Sequence, residues 1–250
     1  LGACLVSTFL WRAPAPGAEC HATGDDQACA RAPEVLACLA AQDRMLPATT
    51  LLCERAWRLT GDEAAAVAGA YYALFQEDDR ALERWERRAQ PTLQGARILD
   101  FAGERREHHD DFAGAEQDFR RALDLQVGRD PVHAANTALF LLALVPNSQS
   151  AEDSIRLARL AWDQAGLGHD ENMRACAAIS LVEILVDIGE LSTAAIVITV
   201  MDARDSPSWR AVRDVARGRL EAARGRIALA IALFQRALGG EPNGPSIRAK

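Results

Sequence analysis

Residues 111–125 read DFAGAEQDFRRALDL, a run whose Ala115, Phe119, Ala122, Leu123 and Leu125 follow helical spacing. The run is one copy of a longer repeat. Gly69, Ala81 and Trp85 return thirty-four residues later as Gly103, Ala115 and Phe119. Near the C-terminus the same order reappears as Gly218, Gly225, Ile227, Ala230, Phe234, Ala237, Leu238 and Pro242. The reason for the pattern is steric. Small residues let two helices approach closely, and an aromatic fills the gap to the next pair.

This order of small residue, alanine, aromatic, alanine and proline resembles the tetratricopeptide repeat, a helix–turn–helix unit of thirty-four residues. Further copies are more degenerate. Gly189, Leu191, Ala194, Ile198 and Met201 fit one in which Ile198 replaces the aromatic. Ser154, Ala158 and Ala161 fit the second helix of another, after extra residues in the segment 145–150. Pro33 to Asp43 and Pro47 to Leu59 make an earlier antiparallel pair. The resemblance implies an all-α chain, a right-handed α-solenoid of about six antiparallel helix pairs over residues 31–243, with a tail at 244–250.

Helix starts agree with these boundaries. Thr60-Gly61-Asp62-Glu63 has the form of a capping box, and Ser150 with Asp153 does the same job. Asp130-Pro131 and Ser206-Pro207 each place a capping residue before a proline suited to the first helical turn. Composition points the same way, with 49% apolar residues, 6% aromatics and a dominance of alanine and leucine. No segment reads as a strand.

The chain opens on an uncharged stretch, Leu1 to Trp11 (LGACLVSTFLW), followed by Arg12 and a Pro/Ala linker. As a helix, that stretch would cover about 16 Å, roughly half of a bilayer core. It reads as the end of a transmembrane or signal segment at 1–11, with 12–30 as a tether containing cysteines. A buried first helix is the competing reading. Leu1-Gly2-Ala3-Cys4 also resembles a lipoprotein cleavage box, although the apolar stretch continues beyond it.

Cys20, Cys29, Cys38 and Cys53 cluster near this end, while Cys176 stands apart. In the first helix pair, Cys38 and Cys53 are equally far from the turn near Arg44 to Leu46, and so face each other. A bridge there would stabilise by about 3 kcal/mol in the chain-entropy model. Cys20 and Cys29 would then staple the linker. Four cysteines allow three connectivities, and small buried thiols in a reducing cytosol are the alternative.

The chemistry suggested is recognition. A net charge of −7 disfavours a general nucleic-acid binder, and Lys250 is the only lysine. Glu107-His108-His109-Asp110-Asp111 falls at the turn between two repeat helices and reads as a solvated turn, not a metal site. No phosphate loop, GxSxG or HExxH motif occurs. No cofactor, metal or catalytic residue is expected, and any catalytic domain would lie upstream of Leu1.

The resemblance implies a concave groove lined by first helices that holds a peptide or protein. In the clearest copy the groove positions are Arg97, Asp100, Glu104, Glu107 and His108, with Arg219 from the last copy. The Lys/Asn/Arg set with which family members clamp a C-terminal carboxylate is absent. The layout also resembles the outer, repeat-bearing region of bacterial receptor-type Ser/Thr protein kinases. That implies a membrane-anchored, extracytoplasmic signalling or scaffold protein. A soluble cytoplasmic scaffold is the alternative.

Overall fold

The computed structural model describes residues 32–144, 150–202 and 207–239. The apolar stretch 1–11, the linker with Cys20 and Cys29, most of the segment 145–150, Ser206 and Pro242 lie outside them. Among the described residues the chain is helical throughout, with twelve helices and no strand. In order these are α1 (Pro33–Asp43), α2 (Thr49–Thr60), α3 (Glu63–Phe75), α4 (Asp79–Glu86), α5 (Leu93–His108) and α6 (Phe112–Gln126). There follow α7 (Pro131–Leu144), α8 (Ala151–Leu167), α9 (Glu171–Asp187), α10 (Leu191–Asp202), α11 (Pro207–Ala223) and α12 (Ile227–Gly239). None is long and apolar enough to cross a membrane.

The helices form two compact units, α1–α6 and α7–α12. Within each unit every helix packs on the next. The odd-numbered helices also touch one another, α1 on α3 on α5 in one unit and α7 on α9 on α11 in the other. Pairs of helices joined by short turns thus share one continuous layer of first helices per unit.

The repeat glycines explain how close the helices come. A Cβ on Gly69 would lie 2.5 Å from the Trp85 ring, one on Gly103 2.8 Å from Phe119, and one on Gly218 2.5 Å from Phe234. Each glycine of a first helix is therefore the floor on which the aromatic of the second helix rests. In the copy that lacks an aromatic, Ile198 is buried in α10, and Val182 occupies the position of α9 that corresponds to these glycines. A smaller second-helix residue is matched there by a larger first-helix one. Gly189 and Gly225 do another job, closing turns at positive φ (82° and 77°).

Helix starts follow a shared device. Asp62, Asp78, Thr92, Asp111, Ser150 and Asp170 each accept a hydrogen bond from a first-turn N–H, at 2.8–3.1 Å. The cap of α3 corrects the capping box expected at Thr60. Thr60 is the last residue of α2 and donates to the Ala56 carbonyl, while Asp62 caps α3. Gly61, in the left-handed region, separates the two helices so tightly that the cap falls one residue before Glu63. The second helix also begins at Thr49 rather than Pro47, because Pro47 and Ala48 belong to the preceding turn.

Cys38 and Cys53 are joined in a disulfide across α1 and α2, their Cα atoms 4.7 Å apart. Both are fully buried in a core with Val35, Ala56, Ala65, Val67, Leu82, Trp85 and Ile98. Cys176 lies half-buried on α9.

Candidate functional site: one face of α5

The five positions expected to line a groove share one helix, α5, and their surroundings differ. Arg97 is half-buried and pairs with Asp130 at 3.3 Å. Asp100 is buried and accepts a 2.6 Å hydrogen bond from the buried Gln126 amide. Its carboxylate is therefore turned toward the end of α6. Glu104 and Glu107 are half-buried, and His108 is exposed at the end of the helix.

Glu104 stands out. Its carboxyl is pushed from 4.5 up to about 8, first by burial and then by the neighbouring Asp100 and Glu107 carboxylates. Spacings of three and four residues put those groups on one strip of helix, where like charges repel. Glu107 is itself raised by burial, partly opposed by His108. Across from this strip, α3 brings Tyr71, whose hydroxyl is raised by burial and by Glu104. The Tyr71 ring meets Phe101 edge-on, with centroids 5.6 Å apart.

The adjacent arginines are used elsewhere. Arg105 pairs with Asp79 at the start of α4, and His109 reaches the same carboxylate at 3.2 Å. Arg106 binds Glu86 at 2.9 Å, and it also pairs with Asp118 and, at 3.8 Å, with Asp111. These pairs tie α5 to α4 and α6. In the run from Glu107 to Asp111, Glu107 and His108 end α5, Asp110 has φ 62° in the turn, and Asp111 caps α6. Among the described residues no group of His, Cys, Asp and Glu is arranged to hold a metal.

Arg219 belongs to the other unit. It is exposed on α11 and pairs with the buried Glu183 at 3.0 Å. On the same helix Arg213 and Arg217 pair with Asp202, and just beyond its end Arg224 and Arg226 pair with Glu221. In the first unit Trp57 meets Trp85 edge-on, with ring centroids 6.4 Å apart, and the tryptophans of this unit pack in the same way. Trp162 meets Trp209 edge-on at 6.1 Å, and the Trp209 indole donates to Glu171 at 2.9 Å.

Sequence reasoning did not find Tyr71 and Phe101, nor the Arg105–Asp79 and Arg106–Asp118 pairs. A signal existed for the first. Shifting Asp100, Glu104 and Glu107 back by one repeat gives Ala66, Ala70 and Ala73, all buried. Tyr71 is the large polar residue beside these alanines. A scan against protein-family models finds no match for this chain, and a comparison with curated proteins finds none either.

Proposed function

We propose that the chain is a non-catalytic protein–protein interaction module. In this reading its helix pairs stack as a right-handed tetratricopeptide-like solenoid, and the layer of first helices holds a peptide or partner helix. The observation that carries it is the threefold recurrence of a first-helix glycine under a second-helix aromatic, together with contact between successive first helices. Within each compact unit those features support a regularly spaced layer of first helices, the kind of surface on which extended ligands are read.

The module belongs, in this reading, to a membrane-tethered bacterial signalling or scaffold protein on the extracytoplasmic side. The Cys38–Cys53 disulfide supports an oxidising compartment, where such bridges persist. The uncharged stretch 1–11 supports a tether. A soluble cytoplasmic scaffold is the second reading.

Selection of a random peptide library on the immobilised full chain tests the binding function. A shared motif should be enriched, and its binding should weaken when Arg97, Glu107 and His108 are replaced together by serine. Recovery of no motif, or of one indifferent to that replacement, would overturn the assignment to this face. Thiol counting under denaturing conditions tests the compartment. Free thiols at Cys38 and Cys53 in protein taken from its native host would favour the cytoplasmic reading.

A further inference from the structure

We propose that the exposed face shared by α2 and α4 is a docking surface for an acidic amphipathic segment of a protein partner. Its carboxylates would meet Arg58 and Arg84, and its apolar side chains would cover Leu51 and Leu59. Both are second helices, so the surface is built from elements other than the first-helix layer and goes beyond the groove reading. Three observations lead to it. The first is a mismatch of charge between the two helices. Glu54 of α2 is met by three guanidiniums, Arg58 at 3.9 Å, Arg84 at 3.7 Å and Arg88 at 3.0 Å. Arg88 donates a hydrogen bond to Glu54 and stacks over the Trp85 ring, 4.7 Å from its centroid, which fixes it. Among the described residues Arg58 and Arg84 donate no hydrogen bond. One carboxylate cannot neutralise three cations, so positive charge is left over at these two.

The second is that the other acids nearby are used elsewhere. On α4, Asp79 is held by Arg105 and His109, Glu83 pairs with Arg87, and Glu86 with Arg106. Asp62 and Asp78 cap helix starts, and Glu63 accepts from Thr92. The elements packed on α2 and α4 are α1, α3 and α5. Among the described residues none of their carboxylates, Glu34 and Asp43 of α1 included, lies within ion-pair distance of Arg55, Arg58 or Arg84. Arg55 is exposed and adds a further cation.

The third is the apolar flank. Leu51, Arg55, Arg58 and Leu59 recur at steps of three and four along α2, opposite the side that buries Cys53 and Ala56. Leu51 is 73% exposed and Leu59 62%, and the Arg58 side chain is 75% exposed. On a chain of net charge −7 this is a local basic surface with apolar ends. Charge decides its occupant. A second copy docked through the same face would set arginine against arginine. An acidic segment meets each guanidinium with bidentate carboxylate contacts, while its apolar side covers the leucines.

The probe is a synthetic amphipathic helical peptide with leucine along one stripe and glutamate along its border. Its counterpart has glutamine in place of every glutamate. Each is titrated into the full chain at up to about 1 mM, and the arginine Nε–H signals are followed by NMR. The Arg58 and Arg84 signals are assigned by their loss in Arg58→Gln and Arg84→Gln. The glutamate peptide should shift both signals, and the glutamine peptide should bind about tenfold more weakly or worse. The Arg58→Gln/Arg84→Gln double variant should lose about tenfold in affinity, while Arg156→Gln/Arg159→Gln on α8, an equal change of charge, should keep it. Binding should also survive serine replacement of Arg97, Glu107 and His108, which separates this surface from the first-helix layer. Unmoved Arg58 and Arg84 signals overturn the proposal on the native chain alone, whether or not any variant folds. Equal binding of the two peptides, or equal loss in the α8 control, overturns it too, since net charge alone would then account for the effect. Shifts given by phosphatidylglycerol vesicles and not by the peptide would assign the face to a lipid surface and overturn it as well.

Discussion

Gly103 and Phe119 are in contact across the α5–α6 pair, so close that a methyl group on Gly103 would lie 2.8 Å from the ring. The Phe119 side chain is fully buried. The same relation holds for Gly69 with Trp85 and Gly218 with Phe234. The helix pair is therefore set by one small and one large residue rather than by general hydrophobicity.

Replacing Gly103 by Ala should destabilise the α1–α6 unit by about 1–3 kcal/mol through overpacking, despite alanine's better helix propensity. Adding Phe119→Leu should recover part of the loss, because the shorter side chain makes room. Urea unfolding of the single and double variants would show this, and additive losses would contradict it.

Reducing the Cys38–Cys53 bridge should lower the stability of the same unit by about 3 kcal/mol, the loop-closure value for its fifteen-residue separation. A double Ser substitution at these positions should reproduce the loss, and reductant should then have no further effect on it. Differential scanning calorimetry with and without reductant is the measurement. The α7–α12 unit should melt unchanged, since its described residues contain no disulfide.

Arg106 holds together helices that the repeat alone does not fix. It joins Glu86 of α4 and the buried Asp118 of α6 to α5. Arg106→Met leaves Asp118 buried beside only the exposed Arg121. The expected loss is about 2 kcal/mol, below the full cost of breaking a buried pair because Arg106 is itself partly exposed. Asp118→Asn in the same background should restore stability, and a double-mutant cycle by urea unfolding would measure the coupling.

Glu104 sets a pH dependence opposite to that of a paired carboxylate. Its folded pKa, about 8, lies above the ordinary 4.5. The folded chain thus keeps a proton that the unfolded chain has released between those values, and stability falls as pH rises through that window. Above about 8 both states are ionised and the penalty is constant. Glu104→Gln should match the native chain near pH 5 and melt about 5 °C higher at pH 8.5. Thermal melts over this range check it, and a variant less stable at both pH values would contradict it.

The helix pairs were legible because their signal is local and periodic. Asp111–Leu125 carries the alanines and the aromatic of one unit at fixed spacing, and Gly103 and Phe119 could be matched to Gly69 and Trp85 by counting alone. The facing of Cys38 and Cys53 was legible for the same reason, since an antiparallel hairpin makes distance from the turn a measure of proximity. The strip Asp100, Glu104, Glu107 could also be placed on one helix face by its spacing.

What those residues meet was not legible. The sequence determined that the chain is a series of helix pairs with glycine floors and aromatic fillers, because covalent spacing decides which side chains share a helix face. Tertiary structure decided that Asp100 turns to Gln126, that Arg105 and Arg106 are spent on Asp79, Glu86 and Asp118, and that burial acts on Glu104 together with the Asp100 and Glu107 carboxylates. These outcomes depend on which residues neighbouring helices bring within a few ångströms. Charge in a protein acts over that distance, and position along the chain does not report it.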